Sequence, residues 1–404
     1  MKTPKLVDHT LVVFFCLSLM TSKAGLYISS SMLLLRFFVL FFESRVTFTS
    51  FRKEPFYYLP FIIYLFGIFI TICAGGSQND LLEYSRKGGM ILVIPPLVYF
   101  FSNTEMRSTC IYSLAFGFFI SSTQVLLHII SHGWNGERIS GFWDIGRWGE
   151  IVSYMTLLFL PFFYSNKKNH IILSVIIVIL GFVLLALSGS RAPLLALIII
   201  LPSYMIYKKR QHGIFFLVGL ILIFSSLHYL SSDTFNKFSS RVASITDTSS
   251  DHSNSARIAM WKTSLGFLGS NISTSPSDFL FGTGSHSFQE KYVSYLTTNH
   301  EKEHYSEKFN SQFSFNDSHN MYLDLINKHG VLYTLLLIGS LSSVLYRLIY
   351  SKNKISSDFD ECLVLVLVGF AIIGVFYTSY MDYQTSFIYL TISLAASKSI
   401  RSRA

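Results

Sequence analysis

The sequence predicts an all-α polytopic integral membrane protein with about twelve transmembrane helices and one large extracytoplasmic loop that carries short helices. Three observations carry this. Of the 404 residues 51% are apolar and only 14% are charged, with 38 phenylalanines, a balance foreign to soluble domains. The apolar residues gather in runs long enough to cross ~30 Å of hydrocarbon, and within lipid such runs must be helical so that every backbone amide finds a partner in its own segment. One long polar stretch, residues 231–320, stands apart from these runs.

Taken in order, the candidate spans are residues 8–22, 24–42, 57–75, 88–102, 110–131, 148–164, 170–188, 192–207, 213–230, 321–349, 359–379 and 384–397. The first, fourth and last are short for a span, which needs about 20 residues. The amino terminus, with Lys2 and Lys5 before an apolar stretch, resembles a signal sequence; because many spans follow, it reads as an uncleaved first helix. The chain thus divides into residues 1–230 with nine spans, the polar loop 231–320, and residues 321–404 with three more spans. The loop alternates Ser- and Asp-rich pieces with aromatic ones, which points to short helices lying on the membrane surface and to no separate large domain.

Orientation follows from the basic residues. With the amino terminus in the cytoplasm, the inner segments hold seventeen, from Lys2 to Arg403, and the short outer loops hold six: Lys23, Arg86, Lys87, Arg138, Arg147 and Arg191. Cytoplasmic loops carry the excess of Lys and Arg, so both termini lie inside and the long loop faces outward. The same spacing explains the net charge of +9 without nucleic acid. Cys16, Cys73, Cys110 and Cys362 fall in or beside apolar runs, so they form neither a disulfide framework nor a zinc site. Phosphate-loop and nucleophile-elbow signatures are missing, and Asp358-Phe359-Asp360, the nearest approach to a metal–diphosphate clamp, falls on the inner side, so the expected chemistry needs no metal.

Basic residues on the outer side oppose the topological bias and need another reason. Arg191 sits in SGSRAP between two spans, Arg257 in SARIAMWKTS, and Arg138 and Arg147 bracket the aromatic loop GERISGFWDIGRWGE. Several arginines gathered at the outer boundary suit planar, bidentate recognition of a diphosphate and its stabilisation as a leaving group. For a single outward arginine, headgroup anchoring or an ion pair with Glu137, Asp144 or Glu150 is the simpler account; Arg191, in its Gly-Ser-Arg turn, is the exception. His319 in NDSHNMYLDLINKHG is the best candidate general base, since an imidazole near neutrality can take a hydroxyl proton. Asp317 could orient the ring, although two residues apart on a helix they would not face each other. By spacing alone His286, His300, His304 and His329 are rivals. Gly282 and Gly284 in GTGSHSF allow positive φ and form either an amide nest for phosphate or a plain turn. Asp382, in the outward turn SYMDYQ, could pair with a functional arginine or be an exposed turn residue. Arg36 lies inside the second run near its inner end, where snorkelling would accommodate it.

At these residues the chain resembles the O-antigen ligase and O-antigen polymerase superfamily. The resemblance covers the overall plan and four short motifs: Arg191 in SGSRAPLLAL; Arg257 in ARIAMW; Gly282, Gly284 and Phe288; and His319, Asn320, Tyr322 and Leu323 with Gly330 following. His329 departs from it, since relatives often carry an acid before that glycine. The resemblance implies an inverting glycosyl transfer at the periplasmic face of the bacterial inner membrane, with neither metal nor cofactor. The donor would be undecaprenyl-diphosphate-linked O-antigen. The acceptor would be a sugar hydroxyl of lipid A–core oligosaccharide for a ligase, or another lipid-linked repeat for a polymerase. His319 would act as base, Arg191 and Arg257, with Arg147, would hold the diphosphate, and the isoprenoid would lie among the Phe-rich helices and membrane lipids. The SGSR turn, the ARIAMW helix and the His-Asn element favour a ligase. A transporter of lipid-linked sugars is the rival of another class, but the spans carry almost no buried charge and show no paired broken helices.

Overall fold

The computed structural model describes residues 6–43, 46, 51, 52, 54–134, 136–216, 218, 219, 252–350 and 358–401. Its helices are α1 (Leu6–Thr21), α2 (Lys23–Phe42), α3 (Pro55–Cys73), α4 (Gln78–Gly88), α5 (Ile94–Phe101), α6 (Thr104–His132), α7 (Ile145–Phe159), α8 (Lys168–Ser188) and α9 (Arg191–Lys208). After the polar stretch begins come α10 (His252–Thr274), α11 (Pro276–Phe281), α12 (Phe288–Thr298), α13 (Lys302–Phe309), α14 (Met321–Tyr350), α15 (Asp358–Ile373) and α16 (Ser386–Arg401). No strand occurs among the described residues.

Among the described residues, six helices are long and apolar enough to cross a membrane: α2, α3, α6, α8, α9 and α14. Several other expected spans are shorter or broken, for local reasons. Residues 88–102 form a 3-10 turn and the eight-residue α5, which opens on Pro95 and Pro96. The run 148–164 turns from α7 into a 3-10 segment at Pro161, because proline has no amide to continue the ladder. Helix α15 ends at Ile373, short of the expected 379. The expected run 213–230 lies mostly outside the described residues.

The chain forms two compact units. The first comprises residues 1–114, 252–352 and 374–404; the second comprises 115–251 and 353–373. In the first unit, Arg36 does not simply snorkel to the inner boundary, as its position in α2 suggested. Its Nε lies 2.8 Å from the Asp8 carboxylate of α1, and a terminal nitrogen lies 3.5 Å from Glu43. Both Arg36 and Asp8 are shielded from solvent, so pairing is what makes either charge tolerable there.

The amphipathic α4 begins with a capping box: the Ser77 hydroxyl accepts the Asp80 amide while the Asp80 carboxylate accepts the Ser77 amide. Tyr84 of this helix is buried against Gly67 of α3, where a side chain would overlap the phenol. The polar stretch has a core of its own. Met260 and Phe267 of α10 meet Phe288, Tyr292 and Leu296 of α12, then Phe309 and Phe313. At about 1.5–3 kcal/mol per fully buried large side chain, this cluster is what packs the helices of residues 252–313 together. With 23 residues, α10 is longer than the short helices expected there.

In the second unit, α7 packs on α8, α9 and α15. Gly181 of α8 lies where a side chain would strike Thr156, which brings the α7 and α8 backbones close.

Candidate functional site

His319 sits in a loop, not on the helix that follows it. Its φ is +45°, a region few non-glycine residues adopt. That conformation turns Asp317 back toward it. One Asp317 oxygen accepts the His319 backbone amide at 3.0 Å and also pairs with the ring Nδ1. The helical geometry that would have kept these residues apart therefore does not apply. In the neutral ring, an Nδ1–H turned to the carboxylate leaves the lone pair on Nε2. Burial works to raise the Asp317 carboxyl, but the His319 hydrogen bond and the charges of His319 and Lys328 outweigh it and hold it down to about 2. The His319 side chain remains about a third exposed, so a substrate can reach it.

Neighbouring elements fix this loop from several directions. The Asn320 side-chain oxygen accepts the amides of Tyr322 and Leu323 at 3.0 and 3.1 Å and so caps α14. The Ser318 amide donates to Asp324 at 3.1 Å, and the Ser264 hydroxyl of α10 donates to that of Ser318 at 2.9 Å. The Trp261 indole N–H reaches the His319 carbonyl at 3.4 Å. Arg257 lies one turn before Trp261 on α10, four residues away and so on the same face. The first unit thus carries His319 and Arg257 on connected elements.

The glycine motif packs directly against α14. The amides of Thr283 and Gly284 donate to the carbonyls of Asn327 and Lys328 at 2.9 and 3.0 Å. Gly282, Gly284 and Gly330 all have positive φ. A Cβ on Gly330 would stand 2.3 Å from the Leu280 carbonyl oxygen, and one on Gly282 would stand 2.4 Å from that of Lys328. Asp80 fills the remaining concavity: its carboxylate accepts the amides of His286 and Ser287 at 2.6 and 3.1 Å and the Ser287 hydroxyl at 2.5 Å. Burial pushes this carboxyl up, but the hydroxyls of Ser287 and Ser77 and the two amides prevail and hold it below the usual carboxylate range. Several amides that a phosphate could have used thus already serve an internal carboxylate and α14. Gly330 interrupts α14 with φ 76° and ψ 166°.

The second unit holds Arg138, Arg147 and Arg191. Helix α8 ends at Gly189 in the left-handed conformation, and α9 begins at Arg191. The turn between them is clamped by the aromatic loop. Arg138 Nε donates to the Ser188 carbonyl at 3.1 Å, Ile139 N to that of Leu187 at 3.1 Å, and the Ser190 hydroxyl to that of Ile145 at 2.9 Å. Gly149 permits this approach, since a Cβ there would lie 2.4 Å from Ser190. Arg147 pairs with the buried Glu150 at 2.8 Å, one of the ion pairs the sequence offered. Arg191 occupies the first position of α9, where the helix dipole already presents positive charge, so the pair of features suits an anion.

The rival histidines differ in access. His329 is buried among the rings of Tyr84, Tyr333 and Tyr380, whereas His286, His300 and His304 are exposed. Asp382 falls in the 3-10 turn Asp382–Thr385, and its side chain lies outside the described residues. Sequence reasoning overlooked Asp80, Asp324 and Lys328. A signal existed for each: Ser77-x-x-Asp80 is a capping box, and Asp324 with Lys328 puts two charges four residues apart inside an expected span.

Residues 176–338 match a protein-family model described as O-antigen ligase. No curated protein matches the chain.

Proposed function

We propose that this chain, whose residues 176–338 match the O-antigen ligase family model, transfers an O-polysaccharide from undecaprenyl diphosphate to a sugar hydroxyl of lipid A–core, at the periplasmic face of the inner membrane. The observation that carries this reading is the Asp317–His319 pair, an imidazole oriented by a carboxylate with its second nitrogen available. In the proposed step the acceptor hydroxyl gives its proton to His319 Nε2 as its oxygen bonds to the anomeric carbon. The bond from that carbon to the diphosphate breaks with inversion, and the electron pair leaves with the phosphate. Asp317 holds the ring and stabilises the imidazolium. Arg257, on the same unit as His319, is assigned to the negative charge that grows on the leaving diphosphate. On the second unit, Arg191 and Arg147 are assigned to anionic groups of the substrate, with Arg138 supporting the Ser188–Arg191 turn. Asn320, Gly282 and Gly284 are assigned to shaping the acceptor side, and Asp382 to an arginine contact.

Complementation tests the reading. Lipopolysaccharide from cells lacking an O-antigen ligase, or lacking a polymerase, is resolved on gels after introducing this chain. A full ladder on core in the ligase-deficient cells is the expected result. Rescue only of the polymerase-deficient cells would make the chain a polymerase, and rescue of neither would return the transporter reading. In the rescued strain, Arg191→Ala and His319→Ala are expected to abolish the ladder while leaving the protein in the membrane; full activity in both variants would sink the assigned roles.

A further inference from the structure

Lys328 and Asp324 form a shielded ion pair, with Nζ 2.9 Å from Oδ2 and side chains 12% and 1% exposed. Nothing in the chemistry above uses it. Each partner nevertheless reaches one of the two motif elements. The Lys328 carbonyl accepts the Gly284 amide at 3.0 Å, and its ammonium lies 5.2 Å from the centre of the Phe288 ring, so both ends of this residue grip the glycine motif. Asp324 accepts the Ser318 amide through Oδ1 at 3.1 Å, one residue before His319, and the Tyr380 hydroxyl through Oδ2 at 2.8 Å. The positive charge of Lys328 also acts on Asp317, the partner of the His319 ring.

We propose that Lys328 and Asp324 are positioning residues for His319: their balanced pair ties the glycine motif to the Ser318 amide and so fixes where the Asp317–His319 imidazole points. The proposal rests on the glycan-transfer reading for its kinetic consequence only. A pair kept merely for stability would not need to join these elements, and in a low-dielectric setting an apolar pair of similar volume would serve as well. What the pair adds is an acceptor at Ser318 whose charge is cancelled by a cation anchored on the other motif. Removing either partner leaves an uncompensated charge beside the His319 loop, while removing both restores neutrality, and Asn at position 324 still offers an oxygen to Ser318.

A double-mutant cycle on the full-length protein in detergent tests this, using Lys328→Met, Asp324→Asn and the double variant, with Lys328→Arg as the charge-keeping control. Each single variant is expected to lose roughly tenfold or more in kcat at unchanged KM, and the double variant and Lys328→Arg to return to within about threefold of wild type. In parallel, the rate at which diethyl pyrocarbonate modifies His319, read by peptide mass spectrometry, is expected to change about threefold or more in both single variants and to revert in the double. Single variants within about twofold of wild type in both measurements, or a double variant no better than the worse single, would overturn the proposal. Should the single variants not fold, Tyr380→Phe, which removes one hydrogen bond to Asp324, replaces them; a kcat and a His319 modification rate both unaltered in it would overturn the proposal equally. A wild type that transfers no glycan but shows the modification pattern would remove the functional reading and leave the positioning role standing.

Discussion

Asp317→Asn is the most informative single substitution, because two consequences with different physical origins can be worked out. The first is stability. In the native protein the Asp317 carboxyl is lowered from an ordinary value of 3.8 to about 2. A depressed carboxylate stabilises the fold above its unfolded value and loses that contribution as the pH falls through its folded value. At 1.36 kcal/mol per unit, the wild type therefore holds about 2 kcal/mol at neutral pH that the variant lacks, and the difference shrinks as the pH falls from about 4 toward 2. Thermal melts of the two proteins in detergent between pH 7 and 3 measure this. The second consequence is kinetic. Asn can offer its amide N–H to Nδ1, which would place the ring proton on Nε2 and remove the base. A fall in kcat of roughly 100-fold or more is expected, with KM nearly unchanged. Transfer from a lipid-linked O-polysaccharide to lipid A–core, followed on gels with purified protein, provides the assay. A variant that melts earlier at pH 7 yet retains kcat within about threefold would refute the base assignment, since Asp317 would then be a structural carboxylate only.

Gly330→Ala and Gly282→Ala should each destabilise the protein by about 2 kcal/mol or more, because both combine positive φ with a backbone atom under 2.5 Å from the new Cβ; thermal melts in detergent should show losses of several degrees. Asp80→Ala should lower stability by about 3 kcal/mol or more at neutral pH by orphaning the amides of His286 and Ser287, and the gap to wild type should narrow as the pH falls below the ordinary carboxylate range. An unchanged melting temperature in any of these variants would contradict the packing described for the glycine motif.

What the sequence disclosed follows from how far each signal reaches. Helix existence was legible because runs such as 170–188 carry their own instruction: a long apolar stretch has no other way to satisfy its amides. The interruptions at Pro95, Pro96 and Pro161 were also written in the chain, but hydropathy averages over them, so 88–102 and 148–164 read as single runs. The Asp8–Arg36 pair was harder, because it joins two helices and neither charge alone names its partner.

The site divides along the same line. His319 and Asn320 were visible as a motif, yet the feature that brings the His319 ring onto Asp317 is a local conformation that no spacing rule contains. A helical reading of residues 317–319 places the carboxylate and the imidazole on different faces, whereas φ of +45° at His319 folds one onto the other. That conformation costs strain, and the loop bears it because Asn320 caps α14 while Ser318 and His319 bond to Asp324, Ser264 and Trp261. Glycines 282 and 284 illustrate the converse. Their freedom of φ was evident, but its use was not: in the structure it admits the backbone of α14, and the carboxylate in the adjoining concavity is Asp80, some two hundred residues earlier in the chain. A motif that could be read as an anion site is thus completed from within the protein.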